Sequence, residues 1–311
     1  MHTCLIEPDA TGPGLVPLPL SYEAVVDEIC RFTQVPTAEV ARRVWREALE
    51  PGWNVGRDVE AFGVTPHHYD ELMETLYREG MGFIFETLVY WANPIRQEWS
   101  RKAVQRLLRY SAAKRADPAE LSLLVLGDGV GNDAIFLARN GFKVDYFDVP
   151  GSKTYDFAVK RFAHYALLNQ SVRLISNYRS CFEKQYDAVL SLEVLEHLPD
   201  PRAAIADIGR ILKPGGIAII TEAFGLTPSD LPTHLKCNVK LDGRTPFLFH
   251  ERGMKLSWYS RTPLFKPMEF VRVERRQRLS SVRLLFDRGV IARIIEGRAR
   301  RLKQRIMALL A

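Results

Sequence analysis

The chain has 311 residues, 47% of them hydrophobic and 26% charged, with a net charge of +6, and it reads as an ordinary globular protein: one large domain, or a domain with an added lobe. No stretch approaches the roughly 20 apolar residues that a membrane-spanning helix needs. The four cysteines, Cys4, Cys30, Cys181 and Cys237, form no C-x-x-C pair, so neither a disulfide framework nor a zinc knuckle is expected. The opening MHTCLIEPDATGPG has no basic leader and no apolar signal core, which makes a cytoplasmic protein the expectation.

Residues 1–20 are rich in proline and glycine and are expected to be an irregular arm. Ser21 can cap a helix running to about Phe32. Thr37 can cap a second through Leu49, which Pro51-Gly52 ends. Thr65-Pro66 reads as a cap followed by proline at the first helical position. The helix it predicts carries Tyr69, Leu72, Met73 and Leu76 on one face and stops at Gly80. Met81–Tyr90 and Ile95–Tyr110 are two more helical runs, broken at Asn93-Pro94. Residues 1–118 are therefore expected to be an arm and a helical lobe. Arg96, Trp91, Trp99 and Phe85 in it could line a pocket, with core packing the favoured reading for the aromatics.

From Leu121 the pattern alternates. Strand-like runs at Leu121–Leu126, Phe142–Phe147, Val172–Ile175, Ala188–Leu192 and Ile217–Thr221 are separated by helical segments. Such alternation predicts an α/β fold with a parallel sheet covered on both faces. A loop-like stretch, Gly225–Arg244, precedes two further strands at Met254–Tyr259 and Met268–Val273. Residues 119–273 would form the core, with 225–250 as an insertion on the substrate side, and 274–311 a basic amphipathic helix.

Charge is concentrated at the end of the chain. Between Arg272 and Arg305 lie twelve basic residues against Glu274, Asp287 and Glu296, a local charge of +9. Such a segment can lie on an anionic membrane surface, bind nucleic acid, or pack with one charged face outward. No aromatic ladder or RNA-binding motif accompanies it, so nucleic acid ranks last.

The chemistry centres on LLVLGDGVGNDAIFLARNGFKVDYFDVP, Leu123–Pro150. An apolar run enters Gly127-x-Gly129-x-Gly131, a helical pattern follows, and a second apolar run ends at Asp148. A glycine-rich strand-to-helix turn lets a ligand approach the backbone closely. The dinucleotide fingerprint G-x-G-x-x-G would need glycine where Asn132 stands. The GSKT at Gly151–Thr154 lacks P-loop spacing and reads as a turn. Asp148, 21 residues after Gly127, can accept hydrogen bonds from both hydroxyls of a ribose.

Two later segments decide between nucleotides: YDAVLSLEVLEHLPDP, Tyr186–Pro201, and ILKPGGIAIITEAF, Ile211–Phe224. With the glycine loop and Asp148 they resemble the S-adenosylmethionine-dependent class I methyltransferases over about Leu121–Arg275. The resemblance implies a Rossmann-like seven-stranded methyltransferase sheet whose last strand is antiparallel. It implies S-adenosylmethionine bound by Gly127, Asp128, Gly129, Gly131, Asn132, Asp148, Asn177 and Leu192. Asp128 would hold the amino-acid end, because the acidic residue usual two positions before the first glycine is Val125 here. Asn177 would meet the adenine amine.

Glu193-Val194-Leu195-Glu196-His197 further resembles the E-V-x-E-H segment of ubiquinone-pathway O-methyltransferases and terminal RNA 2′-O-methyltransferases, where it supplies ligands for a divalent metal. That makes Glu193, Glu196 and His197 candidate metal ligands, and His197 and Glu193 candidate catalytic residues. Glu222, His234 and His250 are further candidates on the substrate side. His67 and His68 are adjacent on a predicted helix, so they face apart and do not suggest a metal site. The expected function is methyl transfer to a small-molecule or glycan acceptor, at oxygen. The alternatives are an RNA-terminal 2′-O-methyltransferase and a catalytically silent cofactor-binding scaffold. An NAD oxidoreductase is disfavoured by Asn132 and the two later segments.

Overall fold

The computed structural model describes residues 21–261, 266–273, 290–291 and 294–299. Six helices come first: α1 (Tyr22–Phe32), α2 (Thr37–Leu49), α3 (Trp53–Phe62), α4 (Glu71–Glu79), α5 (Gly82–Trp91) and α6 (Pro94–Lys114). Strands and helices then alternate: β1 (Leu123–Leu126), α7 (Asn132–Arg139), β2 (Val144–Phe147), α8 (Lys153–His164), β3 (Val172–Leu174), β4 (Tyr186–Leu192), α9 (Pro201–Ile211), β5 (Leu212–Thr221), α10 (Thr245–His250), β6 (Met254–Tyr259) and β7 (Met268–Arg272). Among the described residues these strands form one seven-stranded sheet in the order β3-β2-β1-β4-β5-β7-β6. Only β7 runs antiparallel to its neighbours β5 and β6. This is the predicted Rossmann-like methyltransferase sheet, preceded by the predicted helical lobe.

The sheet separates two apolar layers. One packs Ile205, Ile208 and Phe249 against Val189, Ile220 and Phe270. The other packs Leu107, Ile135 and Phe162 against Leu123, Val144 and Ile219. The lobe joins the core through a third cluster, in which Val25, Ile29, Val44 and Phe85 meet Val130 of the glycine loop and Phe157 of α8. Phe85, Trp91 and Trp99 are all buried, in keeping with their reading as core.

Several local expectations are corrected. Thr37 is the first residue of α2 and caps nothing. Pro51-Gly52 is a corner between α2 and α3, a helix the sequence reading lacked. The Glu47 carboxylate accepts from the backbone N–H of Gly52 at 2.5 Å and of Asn54 at 2.9 Å, so α2 supplies the N-terminal cap of α3. The next helix starts at Asp70, whose side chain accepts from Met73 N. The stretch from Thr65 is a turn because tertiary bonds claim its backbone: His67 N donates to Pro232 O, and Lys236 N to His67 O. His67 and His68 therefore lie outside any helix. LKPGG belongs to β5, where Gly215 takes a positive φ beside a register shift against β4. The loop-like stretch Gly225–Arg244 holds a short 3-10 turn, Lys236–Leu241, and leads into α10. Of the expected basic helix, only residues 290–291 and 294–299 are described, as helical; the rest lies outside the described residues.

Gly131 shows how tightly the glycine loop is seated. Its φ is +80°, and a Cβ there would lie 2.5 Å from the Phe162 ring. Gly131→Ala combines left-handed strain with overpacking and is expected to cost about 2–4 kcal/mol, measurable by urea denaturation.

Candidate functional site

The carboxyl ends of β1, β2 and β4 open into a cavity of about 950 Å³, roofed by the helical lobe. Open α/β sheets bind ligands at this edge. Its floor is Leu126, Gly127, Asp128, Gly129, Asp148 and Leu192, and its far wall is built by Tyr77, Glu86, Tyr90 and Arg96 of the lobe.

The glycine loop is held from several sides. Gly127 N donates to Phe147 O at 2.9 Å, tying the end of β1 to β2. Gly129 N donates to Asp148 Oδ2 at 2.6 Å, and Val149 N to Asp148 Oδ1 at 2.7 Å. Burial pushes the Asp148 carboxyl above its ordinary value, opposed by those two N–H groups. Arg161, only 1% exposed, donates to Val130 O and to Asn132 Oδ1 at 2.8 Å, and pairs with Glu28 of α1 at 2.6 Å.

The sequence-predicted cofactor residues divide. Gly127, Asp128, Gly129, Asp148 and Leu192 line the cavity, whereas Gly131, Asn132 and Asn177 do not. Gly131 seats the loop against α8. Asn132 is buried, with its side-chain oxygen on Arg161. Asn177 accepts from Ser180 N at 3.1 Å, capping a short turn; its neighbour Tyr178 lines the cavity and donates to Asp207 Oδ2 at 3.0 Å. Asp128 borders the cavity, but its two oxygens accept from Asp133 N at 3.0 Å and Ala134 N at 2.8 Å, so it caps α7. Burial and the nearby Asp133 raise its pKa well above the usual carboxylate range. Arg96, from α6, pairs with Asp133 and lines the cavity beside it, bringing a buried cation to this end.

On the opposite side stand Glu193 and His197. Glu193 takes a left-handed backbone, φ +57°, with its N–H on Thr221 Oγ1 at 2.8 Å. Non-glycine residues held this way cluster at functional sites. Its carboxylate pairs with the buried Lys266 ammonium at 3.1 Å. His197 Nδ1 lies 3.2 Å from both Thr233 O and Tyr77 Oη. Since a carbonyl only accepts, Nδ1 carries the proton and Nε2 keeps the lone pair. Burial depresses the His197 pKa to about 4, so the ring is neutral at physiological pH. His234 meets it edge to face, ring centroids 4.7 Å apart, and burial with the His197 neighbour lowers its pKa to about 3. Glu222 does not reach the cavity; it accepts from Phe224 N and the Thr245 hydroxyl. His250 is not among the lining residues either.

The metal suggested by the E-V-x-E-H segment can be weighed on the donors present. Glu196 is 0% exposed, and neither carboxylate oxygen has a hydrogen-bond partner among the described residues. Glu196, His197 and His234 each offer a ligand atom within 4.8 Å of the others. One carboxylate and two imidazoles suit a borderline divalent metal such as zinc, iron or nickel, so the residues fit.

Sequence reasoning missed Glu86, Tyr90, Tyr77 and Lys266. Glu86 had a signal: it is the only charged residue in the apolar α5, GFIFETLVYW. Burial, with Glu47 nearby, pushes its carboxyl up to about 8.

A family model described as "Methyltransferase domain" matches residues 95–277. A sterol 24-C-methyltransferase of Yarrowia lipolytica is 28% identical over 178 residues, 55% of this chain and 44% of that protein. A ubiquinone biosynthesis O-methyltransferase of Psychrobacter cryohalolentis is 29% identical over 138 residues, 42% of this chain and 52% of that protein. The chain spans about half the length of the curated relatives it matches. A solved magnesium protoporphyrin IX methyltransferase from Synechocystis, with bound SAM, aligns over 82% of this chain and 99% of that one at 17% identity and a TM-score of 0.42. With the family model covering more than half of the chain, and the glycine loop and Asp148 meeting at the cavity floor, the chain belongs to the S-adenosylmethionine-dependent class I methyltransferases.

Proposed function

We propose that this protein transfers the methyl group of S-adenosylmethionine to a hydroxyl of a small-molecule or glycan acceptor. The observation that carries the reading is the continuous cavity of about 950 Å³ that runs from Gly127, Gly129 and Asp148 to His197, Glu86 and Tyr90. That volume lies at the upper end of the ~300–1,000 Å³ range of small-molecule sites, room for a cofactor and an acceptor side by side. Asp148 would accept from the ribose hydroxyls, and Arg96 lies where it could meet the cofactor's carboxylate.

The acceptor oxygen attacks the methyl carbon, the carbon–sulfur electron pair returns to sulfur, and S-adenosylhomocysteine leaves. Holding oxygen, methyl and sulfur in line supplies much of the acceleration. The hydroxyl proton needs a base. His197 Nε2 and Glu193 approach from the core side. Glu86 faces them from the lobe with a pKa close to physiological pH, where general-base catalysis is most effective. This favours oxygen as the methylated atom. A contact of the basic segment 274–311 with an anionic membrane belongs to the same reading and rests on its charge alone.

Calorimetric titration with S-adenosylmethionine, S-adenosylhomocysteine and NAD tests the cofactor assignment. Micromolar binding of the first two and none of NAD is expected; silence from both sulfur cofactors would sink the reading. Once an acceptor is found, kcat/KM is expected to rise with pH through about 8 as Glu86 ionises. Glu86→Gln should flatten that limb and lower the plateau about 10²-fold. A raised carboxyl pKa also means the folded state holds a proton that the unfolded chain releases above about 4.5. Stability is therefore lost as pH rises towards 8, and Glu86→Gln should melt higher than the parent at pH 8.5.

A further inference from the structure

The structure assigns a divalent transition-metal site to Glu196, His197 and His234, with Glu193 outside the ligand set. It extends the methyl-transfer reading at the same cavity, and its test reads metal binding without cofactor or acceptor, so either can fail alone. The first observation is a buried carboxylate that accepts no hydrogen bond from the described residues. Glu196 is fully buried, and neither oxygen has a partner among the described residues. Buried carboxylates are ordinarily paired, hydrogen-bonded or metal-bound.

The second observation is the pair of imidazoles beside it. His234 Nδ1 donates to Leu226 O at 2.7 Å and His197 Nδ1 to Thr233 O at 3.2 Å. A backbone carbonyl on one ring nitrogen fixes the tautomer and leaves the other as a ligand, the usual outer support of metal-bound histidines. One nitrogen of each ring and a Glu196 oxygen lie within 4.8 Å of one another. Metal bonds of about 2.1 Å need donors no more than about 4.2 Å apart. The cluster therefore closes by less than an ångström, within the reach of side-chain rotation. Both imidazoles line the cavity, so open coordination positions would face it, and His197, with its lone pair on the metal, would leave the task of base to Glu86.

Glu193 is excluded by its own partner. Its carboxylate is held by the Lys266 ammonium at 3.1 Å, a buried cation that also competes with a metal for it. The third ligand instead comes from the insertion after β5. That segment already docks on the Glu196 turn, through Leu235 N to Glu196 O at 3.1 Å and Asn238 Nδ2 to Leu198 O at 2.8 Å. A metal bound here would clasp the insertion to the end of β4 and set the wall of the acceptor pocket.

The test uses the full-length protein freed of metal by chelator and titrated with Co²⁺, followed by its visible absorption and by calorimetry. One equivalent is expected to bind, with visible bands reporting nitrogen ligands, and to slow tryptic cleavage at Lys236 and Lys240. Glu196→Gln and His234→Asn should weaken binding at least 100-fold, while Glu193→Gln leaves it within about threefold. His234→Asn retains a donor for Leu226 O, and circular dichroism of each variant verifies folding. No binding at 100 µM Co²⁺ would overturn the assignment. So would loss of binding in Glu193→Gln with retention in His234→Asn.

Discussion

Arg161→Met is expected to destabilise the protein by about 3–5 kcal/mol, the largest stability effect anticipated for one side chain. Arg161 is 1% exposed and ion-paired with Glu28, 8% exposed at its side chain. Removing one partner of a buried pair leaves the other charge without its counterion, which costs more than the pair itself contributes. Among the described residues Glu28 would keep only the Tyr165 hydroxyl, whose single proton is shared between its two oxygens at 2.8 and 2.7 Å. The same guanidinium holds Val130 O and Asn132 Oδ1, so its loss also loosens the glycine loop. Denaturant unfolding measures the first effect. The double variant Glu28→Leu/Arg161→Met should be more stable than Arg161→Met alone, because no uncompensated carboxylate remains. An equal or lower stability would show that packing, not charge, fastens the lobe.

Asp148→Ala is expected to weaken S-adenosylmethionine and S-adenosylhomocysteine at least 10²-fold. Two hydrogen bonds from ribose hydroxyls to an ionised carboxylate, at roughly 1.5–3 kcal/mol each, set that scale. The side chain also braces the loop, since it accepts from Gly129 N and Val149 N. Asp148→Asn separates the two roles: its oxygen can still receive Gly129 N, but its amide can accept from only one hydroxyl and carries no charge. Asn is therefore expected to bind more tightly than Ala and well below the parent. Because Asp148 must be ionised to accept from both hydroxyls, and burial raises its pKa, affinity should fall as the solution is acidified. Equal affinity in parent and Asn variant would remove the ribose contact.

The strands in chain order and the residues of the cavity floor were legible because they depend on near-neighbour chemistry. Alternating apolar runs bounded by glycine and proline announce strands. Asp200-Pro201 announces a helix start, and it does cap α9. Gly127 to Asp148 is one strand–turn–helix–strand unit, so spacing alone brings its two ends together. The helices before residue 94 were read less well. That the chain turns at Pro51-Gly52 into a further helix depends on the Glu47 carboxylate, and whether Thr65 starts a helix depends on Pro232 and Lys236, far along the chain.

By itself the sequence determined the class of fold, the glycine loop and its companion Asp148, since periodicity and turn chemistry act over a few residues. Tertiary structure decided everything that requires distant segments to meet. It brought Glu86 of the lobe to the cavity that His197 also lines, drew Glu193 to Lys266, and set His234 against Glu196 and His197. It also showed that Asp128 and Asn132, which look like ligand contacts in the motif, spend their side-chain oxygens on α7 and Arg161. The physical reason is desolvation: a polar atom taken out of water gains by finding a protein partner, and the fold's long-range contacts determine which partner is in reach.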